Sequence, residues 1–183
     1  MKKCLAVLLL LIIVLAGCSA QTLQDAISSS AYGDYDKPEI LYRNDDIGVV
    51  IFLTKDENNE FVLCRSTYEK NRFNRYDLRE TDNDYSISVD IGRKSEFITV
   101  DTIDKDSDNP LHLVWGSIFH HPGAEQVVYK VHNQQGDRLY ENKVEINNKH
   151  IFVDIVPEQV TNSYTISFDI VDQEGNIVFS KPN

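Results

Sequence analysis

The chain has 183 residues, of which 42% are hydrophobic and 26% charged, and its 29 acidic residues outnumber 18 basic ones for a formal net charge of −11. So acidic a surface repels nucleic acid, and the basic residues Arg65, Lys70, Arg72, Arg75 and Arg79 do not offset it, which argues against a nucleic-acid partner. Three cysteines make no disulfide framework, so stability has to come from an apolar core, which this length supplies as one domain or two small ones.

The first segment reads as an address. In MKKCLAVLLLLIIVLAGCSA, Lys2 and Lys3 form a positive region, Leu5 to Leu15 an uncharged apolar run, and Ala16 and Gly17 a small-residue end, the pattern of an export signal. The apolar run is shorter than the roughly 20 residues that a spanning helix needs. Leu15-Ala16-Gly17-Cys18 resembles a bacterial lipobox, in which the cysteine thiol takes a diacylglyceryl group and the signal is cut just before it. The resemblance implies a signal peptide over 1–17, lipidation of Cys18, and a mature chain held on the extracytoplasmic face of the cell membrane by its acyl chains, palmitate among them. At about 0.8 kcal/mol per buried methylene, two such chains retain a domain that one would release. The alternative is an ordinary secretory signal cut near Ala20, which discards Cys18. Loss of residues 1–17 removes two lysines and no acid, leaving 16 basic against 29 acidic residues, a net charge of −13. Cys4 goes with the signal, so Cys64 lacks a disulfide partner and reads as a half-buried small hydrophobe between Leu63 and Arg65.

Residues 18–38 are small and polar and read as a tether whose end enters the domain; Gln21 to Ile27 can form a helical turn or two. An N-terminal β-rich region is expected over 39–104, an antiparallel β-meander with a short helix. Its strands are Gly48–Leu53, Phe61–Arg65 after the turn Lys55–Asn59, the alternating Ser86–Ile91, and Phe97–Val100. The polar, proline-containing stretch Asp104–Pro110 is the expected boundary. Six more strands follow over 110–183: Leu111–Ile118, Gln126–Val131, Arg138–Ile146, Ile151–Val156, Tyr164–Val171 and Ile177–Phe179. Gly or Asn in the turns Gln134–Asp137, Asn147-Asn148 and Asp172–Asn176 can take positive φ. In Tyr164, Ile166, Phe168 and Ile170 one apolar face alternates with a wet one. The fold class is therefore mainly β, with an immunoglobulin-like β-sandwich at the C-terminal end that lacks the usual cysteine pair.

Together with the lipobox, the Gly48-Val-Val-Ile-Phe52 strand, the segment Trp115-Gly-x-Ile118 with Val127-Val128 after a turn, and Asp172-x-x-Gly-Asn-Ile-Val178 make the chain similar to small lipoproteins of Gram-positive bacteria. That resemblance spans nearly the whole chain. It implies an address and a β-rich fold, and lends no catalytic residue.

Among candidate sites, Asp104, Asp106 and Asp108 alternate like the first half of an EF-hand loop. Asn109 stands where the glycine belongs and Trp115 where the bidentate glutamate belongs, so the full motif is broken. A weak calcium site completed by Asp101 or another acid stands against a solvated acidic linker. His120 and His121 are neighbours in an extended chain and point to opposite faces, poorly placed to share zinc. Pro122-Gly123 suits the centre of a type II turn flanked by partly exposed histidines, and Trp115 is expected in the sandwich core. No nucleophile elbow, Ser-x-x-Lys or phosphate loop is present, and no catalytic residue is nominated. The one locally positive stretch, Tyr68 to Tyr76 and on to Arg79, mixes aromatics with arginine and nominates Arg72, Arg75 and Tyr76 for partner binding, against a strand edge whose arginines pair with nearby acids.

The expected function is a membrane-anchored, extracytoplasmic lipoprotein acting as a non-catalytic binding or interaction module at the cell envelope. Its partners are the membrane, through the lipid, and another envelope protein; no cofactor is called for beyond that lipid. The alternatives are an envelope hydrolase with a site scattered in sequence, and a weak calcium-binding module.

Overall fold

A computed structural model describes residues 20–79, 84–103, 108–157, 160 and 164–182. Cys18, Asp104 and Asp106 lie outside these residues. The chain divides into two units, one running to Ser88 and the other from Val89.

The first unit is an antiparallel meander built on two long strands. β1 (Glu39–Asn44), β2 (Val49–Lys55), β3 (Phe61–Lys70) and β4 (Tyr76–Arg79) pair antiparallel in chain order, and β5 (Tyr85–Ser88) also pairs with β3. β4 takes the far half of β3, Thr67–Lys70, and β5 the near half, Val62–Arg65, so two short strands share one long edge. β2 and β3 are long enough for this because their branched and aromatic residues favour extended backbone. A helix, α1 (Leu23–Ser28), covers one face. Thr22 caps it by accepting the Asp25 N–H at 3.0 Å, and Leu23, Ala26 and Ile27 are its buried residues, packed with Val50, Phe52, Cys64, Tyr68 and Tyr76.

One expectation changes here. Residues 20–33 are not a free tether: they carry part of the core, and Thr54 Oγ1 donates to the Tyr32 carbonyl at 2.8 Å while Tyr32 packs edge-on against Phe52. Val49, Ile51 and Leu63, which alternate with the helix-facing positions, are fully buried as well.

The second unit has two antiparallel sheets. β6 (Ser95–Ile103), β7 (Leu111–Phe119) and β10 (Ile151–Ile155) form one in the order β10-β7-β6. β8 (Gln126–Asn133), β9 (Arg138–Glu145), β11 (Tyr164–Val171) and β12 (Ile177–Lys181) form the other in the order β12-β11-β8-β9. Val100, Val114, Ile118 and Phe152 from the first meet Val127, Tyr129, Val131, Phe168 and Ile170 from the second in one core. The expected boundary at 104–110 therefore falls inside this unit: β6 pairs with β7 from Ser95↔Phe119 to Ile103↔Leu111, so both flanks of the stretch belong to one hairpin, and the division lies at Ser88.

Gly116 lies at the centre of β7, opposite Phe152 on one side and Ile98 on the other. A Cβ there would stand 1.9 Å from the Phe97 carbonyl oxygen and 2.8 Å from the Phe152 ring, so only glycine lets the ring lie over the strand. Trp115 is fully buried, but on the opposite face from Val114 and Ile118. It packs edge-on against Phe97 at 5.2 Å and donates to Asp101 Oδ2 at 3.4 Å, so its expected place in the inter-sheet core is corrected.

Candidate interaction surface

The basic, aromatic stretch of the sequence becomes the β3–β4 hairpin. Asn71 closes it: its N–H donates to the Arg75 carbonyl at 2.9 Å, and its side-chain Oδ1 accepts from the N–H groups of Phe73 at 2.9 Å and Arg75 at 3.1 Å. Asn74 takes φ +57°, a region that asparagine tolerates better than most residues. The tip is thus held by its own polar side chains. It presents Phe73, 70% exposed, with the Arg72 guanidinium 5.0 Å from its ring centroid.

Tyr76, nominated with Arg72 and Arg75, is placed differently. Its side chain is buried, with Arg43 at 5.0 Å and Lys70 at 5.5 Å over its ring, and its hydroxyl accepts from Arg43 Nη2 at 2.8 Å. It belongs to a polar network centred on Asp45. That carboxylate takes both Arg43 Nε, at 2.5 Å, and Nη2, at 2.6 Å, and accepts the Tyr68 hydroxyl, with Lys70 3.7 Å away. The Arg43 hydrogen bond, then that of Tyr68, holds the Asp45 carboxyl well below the usual carboxylate range. Burial first, and then the same carboxylate, pushes the Tyr68 phenol above its ordinary value. The ends of β1, β3 and β4 are thereby tied together beneath the tip.

The chain's entry is tied to the same place. Ala20 and Tyr76 form an isolated antiparallel bridge, each donating its N–H to the other's carbonyl at 2.9 Å. A shallow depression of about 190 Å³ lies beside this bridge, lined by Ala26, Ser29, Ser30, Asp77 and Leu78 as well as the bridge residues. Neither the bridge nor the exposure of Phe73 was nominated from sequence. An Asn at each end of Asn71-Arg-Phe-Asn74 is the signal that marks the tip, but the partner of Ala20 is a long-range pairing without a local pattern.

The other nominated residues are dispersed. Asp108 is exposed, and among the described residues no three His, Cys, Asp or Glu side chains converge on one metal position. Asp101, one of the acids offered as completing a calcium site, has both oxygens engaged, Oδ1 by the Thr102 N–H at 2.8 Å and Oδ2 by Trp115. Pro122 and Gly123 form the expected turn, with the Ala124 N–H bonded to the His121 carbonyl at 3.2 Å and Gly123 at φ +76°. His120 is exposed and meets the Ile91 carbonyl at 2.5 Å, whereas the His121 side chain is 4% exposed, 3.5 Å from Glu96 and edge-on to Phe179. The two histidines thus have separate partners. Cys64 is a free thiol, fully rather than half buried, and burial followed by the Asp84 charge pushes it up to about 12.

No protein-family model, curated protein or solved structure matches the chain.

Proposed function

We propose that the chain is a membrane-anchored extracytoplasmic lipoprotein, similar to small lipoproteins of Gram-positive bacteria, whose two β units act as a non-catalytic interaction module at the cell envelope. The observation that carries the anchor is the bridge between Ala20 and Tyr76. A secretory signal cut after Ala20 would delete one partner of that bridge, whereas a cut before Cys18 keeps it and leaves Cys18 as the first residue for the lipid. The fold thus uses the chain almost up to the cysteine that the lipobox resemblance marks.

The interaction role is supported by an apolar side chain held exposed on a sheet edge, Ile177, 61% exposed, on the edge strand β12. We further read the second unit as immunoglobulin-like. Of the seven strands among its described residues, the first, second and fifth form one sheet and the third, fourth, sixth and seventh the other. This differs from the constant-type immunoglobulin order only in the sheet that the fourth strand joins.

Crosslinking the protein in its native membrane, followed by pull-down and mass spectrometry, tests the function. The expected result is recovery from the membrane fraction with a recurrent protein neighbour. Recovery from the soluble fraction would contradict the anchor, and a membrane protein without any neighbour would contradict the interaction role.

A further inference from the structure

We propose that the β3–β4 hairpin tip, Asn71–Arg75, is a second membrane contact, in which Arg72 meets the phosphates of anionic lipids and Phe73 enters the interface; this rests on lipid attachment at Cys18. Chain geometry is the first support. Ala20 is bonded to Tyr76, the residue that follows the tip, and Cys18 is only two residues before Ala20. Whatever path those residues take, two of them span at most about 7 Å. The acyl chains therefore enter the bilayer within a short reach of the hairpin, and the tip is held at the membrane surface at high effective concentration.

Chemistry is the second support. Phe73 is the most exposed of the large hydrophobic side chains described, and Arg72 over its ring forms no ion pair among the described residues. An aromatic side chain beside arginine suits the headgroup boundary, where the ring is partly desolvated and the guanidinium binds phosphate. The mature chain carries a net charge of −13, so an anionic surface repels most of the domain and favours the orientation that puts its locally basic hairpin down. A bare flexible loop would lose conformational entropy on docking. Here Asn71 already fixes the turn through two side-chain hydrogen bonds.

The test uses the lipidated protein reconstituted into phosphatidylcholine vesicles with and without phosphatidylglycerol. Phe73→Trp supplies a reporter at the tip, and the wild type supplies the background from Trp115, which is fully buried. The proposal expects the added emission to shift blue and to be lost to acyl-chain-brominated lipid when phosphatidylglycerol is present. It expects Arg72→Glu in the same background to abolish both effects while the protein still floats with the vesicles. A tip that stays open to aqueous quencher on vesicle-bound protein overturns the contact and leaves the anchor standing. Crosslinking of the tip to a protein in native membranes instead of to lipid overturns it too. Failure of the purified protein to float, together with an N-terminal peptide lacking lipid mass, overturns the anchor itself and the contact with it.

Discussion

Ala20 and Tyr76 exchange two backbone hydrogen bonds of 2.9 Å, joining the first described residue of the chain to the first residue of β4. The pair makes the N-terminal segment an element of the first unit. From there α1 lays Leu23 and Ile27 on the sheet, so the segment just past the lipobox contributes packing.

Ile27→Ala is expected to destabilise the protein by about 2–5 kcal/mol, the range for removing a fully buried aliphatic side chain that leaves a cavity. Urea unfolding of the mature domain measures it. A change within experimental error would mean that residues 20–33 are a spacer after all.

Gly116→Ala should cost at least about 1–3 kcal/mol, the usual scale of overpacking, because the Phe97 carbonyl is backbone and cannot swing aside. Loss of amide exchange protection in β7 and β10, ahead of the first unit, would locate the damage. Near-wild-type stability would mean that the ring of Phe152 does not lie over residue 116.

Asp45 predicts an acid limb. Its folded carboxyl lies below its unfolded value of about 3.9, so the stabilisation is complete above that value and is lost as pH falls through the folded one. At 39% side-chain exposure solvent screens the pair, and Asp45→Asn should cost no more than about 1 kcal/mol at neutral pH. The stability difference between wild type and variant should shrink toward zero in acid; a difference independent of pH would exclude the ion pair as its source.

Alkali should act in the opposite sense. Tyr68 and Tyr129 are raised chiefly by burial, Tyr129 also by donating to Asp154, and Cys64 lies at about 12. Their stabilisation is whole below the unfolded values, about 8.5 for the thiol and 10 for the phenols, and falls as pH rises through the folded ones. Tyr129→Phe should flatten the alkaline limb while lowering stability at neutral pH by about 1–3 kcal/mol, since Asp154 keeps only its Asn142 hydrogen bond of 2.7 Å. The native Cys64 thiol should resist alkylation at pH 8 and react once the chain unfolds; rapid labelling of folded protein would contradict its burial.

Calcium titration tests the acidic stretch: Asp101 already accepts the Thr102 N–H and Trp115, so it is expected to add little to a site there, and the melting temperature is expected to stay unchanged. A rise on titration, reversed by a chelator, would show that the folded state binds the ion.

The strands of the second unit were legible because each is bounded by turn residues and carries either unbroken apolar sequence or period-two alternation: β11 runs from Tyr164 to Val171 as the pattern requires. β1 and β4 were not, since Glu39–Asn44 and Tyr76–Arg79 are short, carry too few apolar residues to show a period, and are extended through pairing with β2 and β3. The domain boundary was misplaced because Asp104–Pro110 has the composition of a linker, and composition does not distinguish a linker from a hairpin connection. Trp115 was assigned to the wrong face of its strand because β7 is buried on both, so alternation gives no sign of which side meets the second sheet. At the candidate surface, arginine among aromatics was visible at once. That Tyr76 turns inward and Phe73 outward depends on the register of β3 with β4, Lys70 opposite Tyr76, which no local pattern states.

The most direct test of the membrane-anchored reading is the mass of the N-terminal peptide from protein extracted from its native membrane. The account predicts a peptide that begins at Cys18 and is heavier by a diacylglyceryl group, and a Cys18→Ala variant that loses this modification. An unmodified peptide beginning at or near Gln21 would contradict it.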